Sequence, residues 1–173
     1  MTVLRLVPLI LLALAHAAGR GSAAQASTPS YRGFVPGVRY REFAERARAL
    51  AGAGSLVCNT SRRTAQLMEC GVAIRDSTDG ATFYLSAFVL EGRVAMVSLG
   101  DSGGPSLVER VRRDLTARFG AGQRTGVSTV EWVYGRRVVR FNWRGRGSQR
   151  WIFVTLEDRD VTDRINRYAR RVR

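Results

Sequence analysis

The chain predicts an α+β fold. Two units, each a helix followed by a three-stranded antiparallel meander, are expected to join in a six-stranded sheet with the helices on one face, and a further helix closes the chain. Three observations carry that expectation. Apolar residues recur at helical spacing after residue 38 and again after residue 104. Each stretch is followed by three strand-patterned runs separated by Gly-bearing turns. A basic amphipathic segment ends the chain. The expected divisions are a leader at 1–26, a lead-in at 27–38, a first unit at 39–99, a second at 100–158 and a C-terminal basic helix at 159–173.

Residues 1–26 place Arg5 ahead of the apolar run 6–18 and close on the small residues Ser22-Ala23-Ala24-Gln25-Ala26. Charge, short apolar core and A-x-A site in that order mark a secretory signal peptide, and the run is short for a membrane span. A retained anchor is the competing reading. No second apolar stretch approaches span length, so the mature chain is expected to be periplasmic or secreted, without a transmembrane segment. Its two cysteines, Cys58 and Cys70, are then expected to form a structural disulfide, since an oxidising compartment pairs thiols.

In the first unit Tyr40, Phe43, Ala44, Ala47, Leu50 and Ala51 form one face of a helix that Gly52 and Gly54 stop. Residues 64–76 alternate, with Met68, Cys70, Val72 and Ile74 on one side. Residues 77–80 turn, 81–90 form a strand rich in aromatic and β-branched side chains, Glu91-Gly92 turns again, and 93–99 form a third strand. The second unit opens with Ser106-Leu107-Val108-Glu109, which has capping-box spacing, behind Pro105. Val108, Val111, Leu115 and Phe119 make its helical stripe, and Gly120 ends it. Strands are expected at 127–134, 136–144 and 149–157, the last two joined by the basic loop 144–148. In the final helix Val161, Ile165, Tyr168, Ala169 and Val172 form an apolar stripe that docks on a sheet or lies on a membrane.

Gly100-Asp101-Ser102-Gly103-Gly104-Pro105 matches the segment that carries the nucleophile of trypsin-like proteases. That chemistry needs a histidine base held by an aspartate. The one histidine is His16, in the leader, and all 28 basic residues are arginine, which keeps its proton. The match is therefore read as coincidence, with the glycines supplying turn geometry and Ser106 capping a helix. With no C-x-x-C pair and no histidine in the mature chain, no metal or other cofactor is expected.

The helix-and-meander order, the stretch Phe34-Val35-Pro36-Gly37-Val38, the following Phe43 and the Cys58–Cys70 spacing resemble a family of small secreted bacterial proteins. That family includes the β-lactamase inhibitor protein and the small outer-membrane lipoprotein of the barrel-assembly machinery. The resemblance spans roughly residues 34–158 and implies a protein-binding module with a concave sheet and no catalysis. The chain departs from the family in lacking a second disulfide, a second helix per unit and a lipidation cysteine.

The net charge of +14 falls to +12 once the leader's two arginines are removed, which predicts attraction to polyanions. Trp132, Tyr134, Arg140, Trp143, Arg146 and Trp151 combine aromatic rings with guanidinium groups and are the candidate binding residues. In the competing view the indoles pack under the second helix and the arginines are solvated. An exported protein seldom meets nucleic acid, so an unknown protein or an anionic envelope component is the expected partner, recognised through the sheet face without catalysis. The alternative is a hydrolase of an anionic envelope polymer using carboxylates near Glu157 and Asp158, in the acid cluster with Asp160 and Asp163.

Overall fold

The structure, a computed structural model, describes residues 28–52, 54–60, 66–75, 80 and 82–171. The expected leader and its cleavage site, and most of the 77–80 turn, lie outside the described residues. The chain runs α1 (Tyr40–Ala51), β1 (Val57–Thr60), β2 (Leu67–Arg75), β3 (Thr82–Leu90), β4 (Arg93–Gly103), α2 (Pro105–Phe119), β5 (Gln123–Gly126), β6 (Thr129–Tyr134), β7 (Arg137–Arg144), β8 (Arg150–Asp158) and α3 (Arg159–Arg171).

The strands form one antiparallel sheet in the order β1-β2-β3-β4-β8-β7-β6-β5. This corrects the expected six-stranded sheet of helix-plus-three-strand units: the sheet has eight strands, and its helices do not share one face. The two strands that pattern reading missed, β1 and β5, are its edges. Each is four residues long, VCNT and QRTG, and neither alternates apolar with polar residues. An edge strand pairs on one side only and can stay hydrated on both faces, so nothing forces the period-two pattern onto it. Short edges also offer little unpaired backbone to another chain.

Each helix buries the side its spacing marks out. Phe43, Ala44, Ala47 and Ala51 of α1 are buried, and Gly52 follows at φ 58°, a left-handed conformation that favours glycine. Ser106 is not the cap of α2. Gly104 is the N-cap and Pro105 the first helical residue, where its missing N–H costs nothing, so the helix starts ahead of the capping-box spacing. Val108 and Leu115 are its buried residues. In α3, Val161 is buried and Ile165 packs beside it, while the side chains of Tyr168 and Ala169, and residue Val172, lie outside the described residues.

Strand alternation gives the sheet two faces. On one, Val72, Ile74, Leu85, Val97, Phe141 and Leu156 form the main core, and α1 and α2 cover it, α1 against β2 and α2 against β8. On the other, α3 sits at one end, where Val161 and Ile165 meet Leu67, Phe88, Leu90 and Ala95. Among the described residues no helix covers the rest of that second face. The lead-in is tied to the sheet where the N–H of Gly37 donates to the Val94 carbonyl and the N–H of Val94 to that of Val38, at 2.8 and 2.9 Å.

Cys58 and Cys70 are directly opposed in the β1–β2 register and form the disulfide. Cys58 thus lies on the edge strand β1. By chain entropy a loop of this size contributes about 3 kcal/mol. The double variant Cys58→Ser/Cys70→Ser is expected to lose about that amount in urea unfolding. An unchanged midpoint would show that β1 is held by its ladder alone.

Candidate binding face

The helix-free face is built from side chains that alternate with the core. Tyr84 leaves β3 between the buried Phe83 and Leu85, and its ring lies over Gly71 of β2, where a Cβ would collide with the phenol oxygen. Phe153 of β8 lies over Gly100 of β4, within 3.3 Å of where a Cβ would stand. Both glycines let an aromatic ring cover the backbone of a neighbouring strand, at the known cost of a glycine inside a strand. Trp151 sits opposite Ser102 on one side and Arg144 on the other. The Arg144 guanidinium stacks on Phe153 at 5.1 Å, a cation–π contact.

In the row beside Tyr84 and Phe153, on the side away from Trp151, lie the small hydroxyl residues Ser86, Ser98 and Thr155. The Ser86 hydroxyl donates to the Ser98 carbonyl at 3.5 Å, and the hydroxyls of Ser98 and Thr155 lie 3.2 Å apart. These side chains are short, so the rings stand above them. Tyr84 is 56% and Trp151 48% exposed, uncommon for large aromatics on a strand.

The six candidate binding residues do not come together. Trp151 and Arg140 lie on the helix-free face, and Arg146 is exposed in the loop between β7 and β8. Trp132, Tyr134 and Trp143 alternate onto the helix-covered face. There the Trp132 indole N–H donates to the Gly120 carbonyl at 2.9 Å and the Tyr134 hydroxyl to the Phe119 carbonyl at 3.0 Å. These bonds satisfy carbonyls that the end of α2 leaves without helical partners, which fastens the helix to β6. Trp143 stacks on Phe141 with ring centres 5.1 Å apart. Arg140 is held by Glu131 at 2.5 Å and by Glu157 at 3.7 Å. Sequence reading missed Tyr84 and Phe153; the available signal was the polar half of the alternation in β3, Thr82, Tyr84 and Ser86.

Glu157 and Asp158 are neighbours on a strand and project to opposite faces, so they do not form a carboxylate pair. Glu157 faces Arg140, and Asp158 is buried against Arg136 and Arg137 at 3.6 and 3.9 Å. Asp101 and Ser102 likewise point to opposite sides of β4: Asp101 pairs with the buried Ile152, Ser102 with the exposed Trp151. The Ser102 backbone N–H donates to the Asp101 carboxylate at 2.6 Å. Among the described residues no group of three or more His, Cys, Asp or Glu side chains is placed to hold a metal ion.

Tyr31 in the lead-in turn has a phenol pushed above its ordinary value of 10, first by burial and then by Asp114, with Arg32 opposing. The phenol is harder to ionise folded than unfolded, so its contribution to stability is complete below about pH 10 and fades as pH rises through the raised value. Unfolding measured from pH 9 to 11 is expected to show a decline that Tyr31→Phe reduces. An identical profile in that variant would assign the decline elsewhere.

No family model, curated protein or solved structure matches the chain.

Proposed function

We propose that this protein is an exported, non-catalytic binding module that grips an acidic protein through the helix-free sheet face. The observation that carries the reading is the exposed pair Tyr84 and Trp151 on the two strands that flank β4, with Phe153 over Gly100 between them. Tyr, Trp and Arg are the residue types that dominate interface energies, and a rigid floor lowers the ordering cost of association. Arg144 beside Trp151, on a chain with a net charge of +14, favours a partner of opposite sign. The Cys58–Cys70 disulfide fits export to an oxidising compartment. Among the described residues no helix is long and apolar enough to cross a membrane. The resemblance carried by residues 34–38, Phe43 and the cysteine spacing implies the same kind of module.

A photo-crosslinking amino acid placed at Tyr84, with one at the exposed Arg113 of α2 as control, tests the assignment in envelope extract. One acidic protein captured from position 84 alone, and lost when Trp151→Ala is added, is the expected result. Equal capture from both positions, or none from position 84, contradicts it.

A further inference from the structure

The end of the sheet where β6 begins and β7 finishes carries two connections, the β5–β6 turn and the β7–β8 loop. Thr129 faces Asn142 in the β6–β7 register, and the N–H of Trp143 donates to the Ser128 carbonyl at 3.1 Å. The turn therefore stands beside the start of the loop. Residues 123–128 and 144–150 together contain four arginines and no acidic residue.

The tip of the turn is a valine. Gly126 pairs with Thr129, which leaves Val127 and Ser128 as a two-residue connection. Such positions ordinarily take Gly, Asn, Asp or Ser, whose backbone freedom or short polar side chains suit a tight reversal. Val127 is also 85% exposed, more than any other large hydrophobic side chain among the described residues, so the core gains nothing from it. Its backbone is nevertheless held. Arg124 donates from Nε to the Gly126 carbonyl at 3.1 Å and from Nη2 to the Val127 carbonyl at 2.5 Å. One guanidinium thus fixes the turn and sets a cation beside the bare isopropyl group. In the neighbouring loop the N–H of Gln149 donates to the Arg146 carbonyl at 3.3 Å, and the Arg146 side chain is exposed.

We propose that this corner rests on the surface of a bilayer containing anionic phospholipid. Val127 enters the acyl boundary, and Arg124 and Arg146 meet the headgroup phosphates. An apolar tip flanked by cations suits such a surface, because the tail region takes up the valine while the phosphates attract the guanidinium groups. A soluble polyanion would engage the arginines and leave the valine in water. The assignment does not rest on the Tyr84–Trp151 face: Tyr84 lies on β3, three strands from β7.

Co-sedimentation of the mature chain with vesicles of phosphatidylcholine and phosphatidylglycerol in equal parts tests the assignment, with pure phosphatidylcholine vesicles for comparison. Saturable binding to the mixed vesicles is expected, with the pure vesicles at least tenfold weaker. Val127→Ser, which leaves the charge unaltered, is expected to weaken binding to the mixed vesicles at least threefold, and Arg146→Ala to do the same. Arg113→Ala, which removes an equal charge from α2, and Tyr84→Ala are expected to leave it unchanged. Equal binding to the two kinds of vesicle, full binding by Val127→Ser, or equal effects of Arg146→Ala and Arg113→Ala would each overturn the proposal. A loss in Tyr84→Ala as large as that in Val127→Ser would also overturn it, by placing the lipid on the helix-free face.

Discussion

Replacing Trp151 with alanine is expected to weaken partner binding by at least about 30-fold, the scale of an interface hot spot, while changing unfolding by less than about 0.5 kcal/mol. The separation follows from where the ring stands. Its strand neighbours Arg150 and Ile152 point to the helix-covered side, and Ile152 is 3% exposed, so the backbone of β8 is held without the indole. The indole itself is 48% exposed and is available to a partner. Tyr84→Ala is expected to act in the same direction, and the two rings, gripping one ligand, to lose less together than the sum of the single effects. Titration of the captured acidic protein against the three variants, beside urea unfolding of each, measures both quantities. A Trp151→Ala variant that binds normally would remove the face from consideration.

Asp158→Ala is expected to cost about 3 kcal/mol of stability, the lower end for breaking a buried ion pair. The carboxylate is 2% exposed and meets Arg136 and Arg137 of the β6–β7 turn and β7. It also accepts the backbone N–H of Asp160 at 3.2 Å in the first turn of α3, a capping role at a helix start that favours negative charge. Gly37 approaches so closely that a Cβ there would stand 2.7 Å from an Asp158 oxygen. One carboxylate thus joins the lead-in, β7, β8 and α3. Asp158→Asn keeps the acceptor toward Asp160 and is expected to lose less than Asp158→Ala. A urea midpoint unmoved by either substitution would mean that the arginines, of which Arg136 is 58% exposed, are satisfied by water alone.

Much of this arrangement was legible where periodicity is imposed by burial. The α1 stripe, the alternation of β2 and β3 and the apolar face of α2 each answer to a core on one side. Edge strands answer to no such demand, which is why VCNT and QRTG passed unread and the sheet was expected two strands short. The start of α2 was misread because two valid cues overlapped: Pro105 at the first helical position and Ser106 at capping-box spacing, and the proline prevailed. For the site, composition drew attention to the aromatic-rich second half, yet parity splits those rings between the faces. Trp132 and Tyr134 fasten α2, and the exposed pair joins Trp151 to Tyr84 of the other half across β4 and β8. That union depends on strand order, which no local pattern encodes.

The most direct measurement is an amide chemical-shift map of the isotope-labelled chain on adding the acidic protein recovered from position 84. Perturbations concentrated at residues 71, 84–86, 98–102 and 151–155, with α1 and the outer face of α2 silent, are predicted. A map centred on the helices, with β3, β4 and β8 unaffected, would contradict the assignment of the helix-free face as the binding surface.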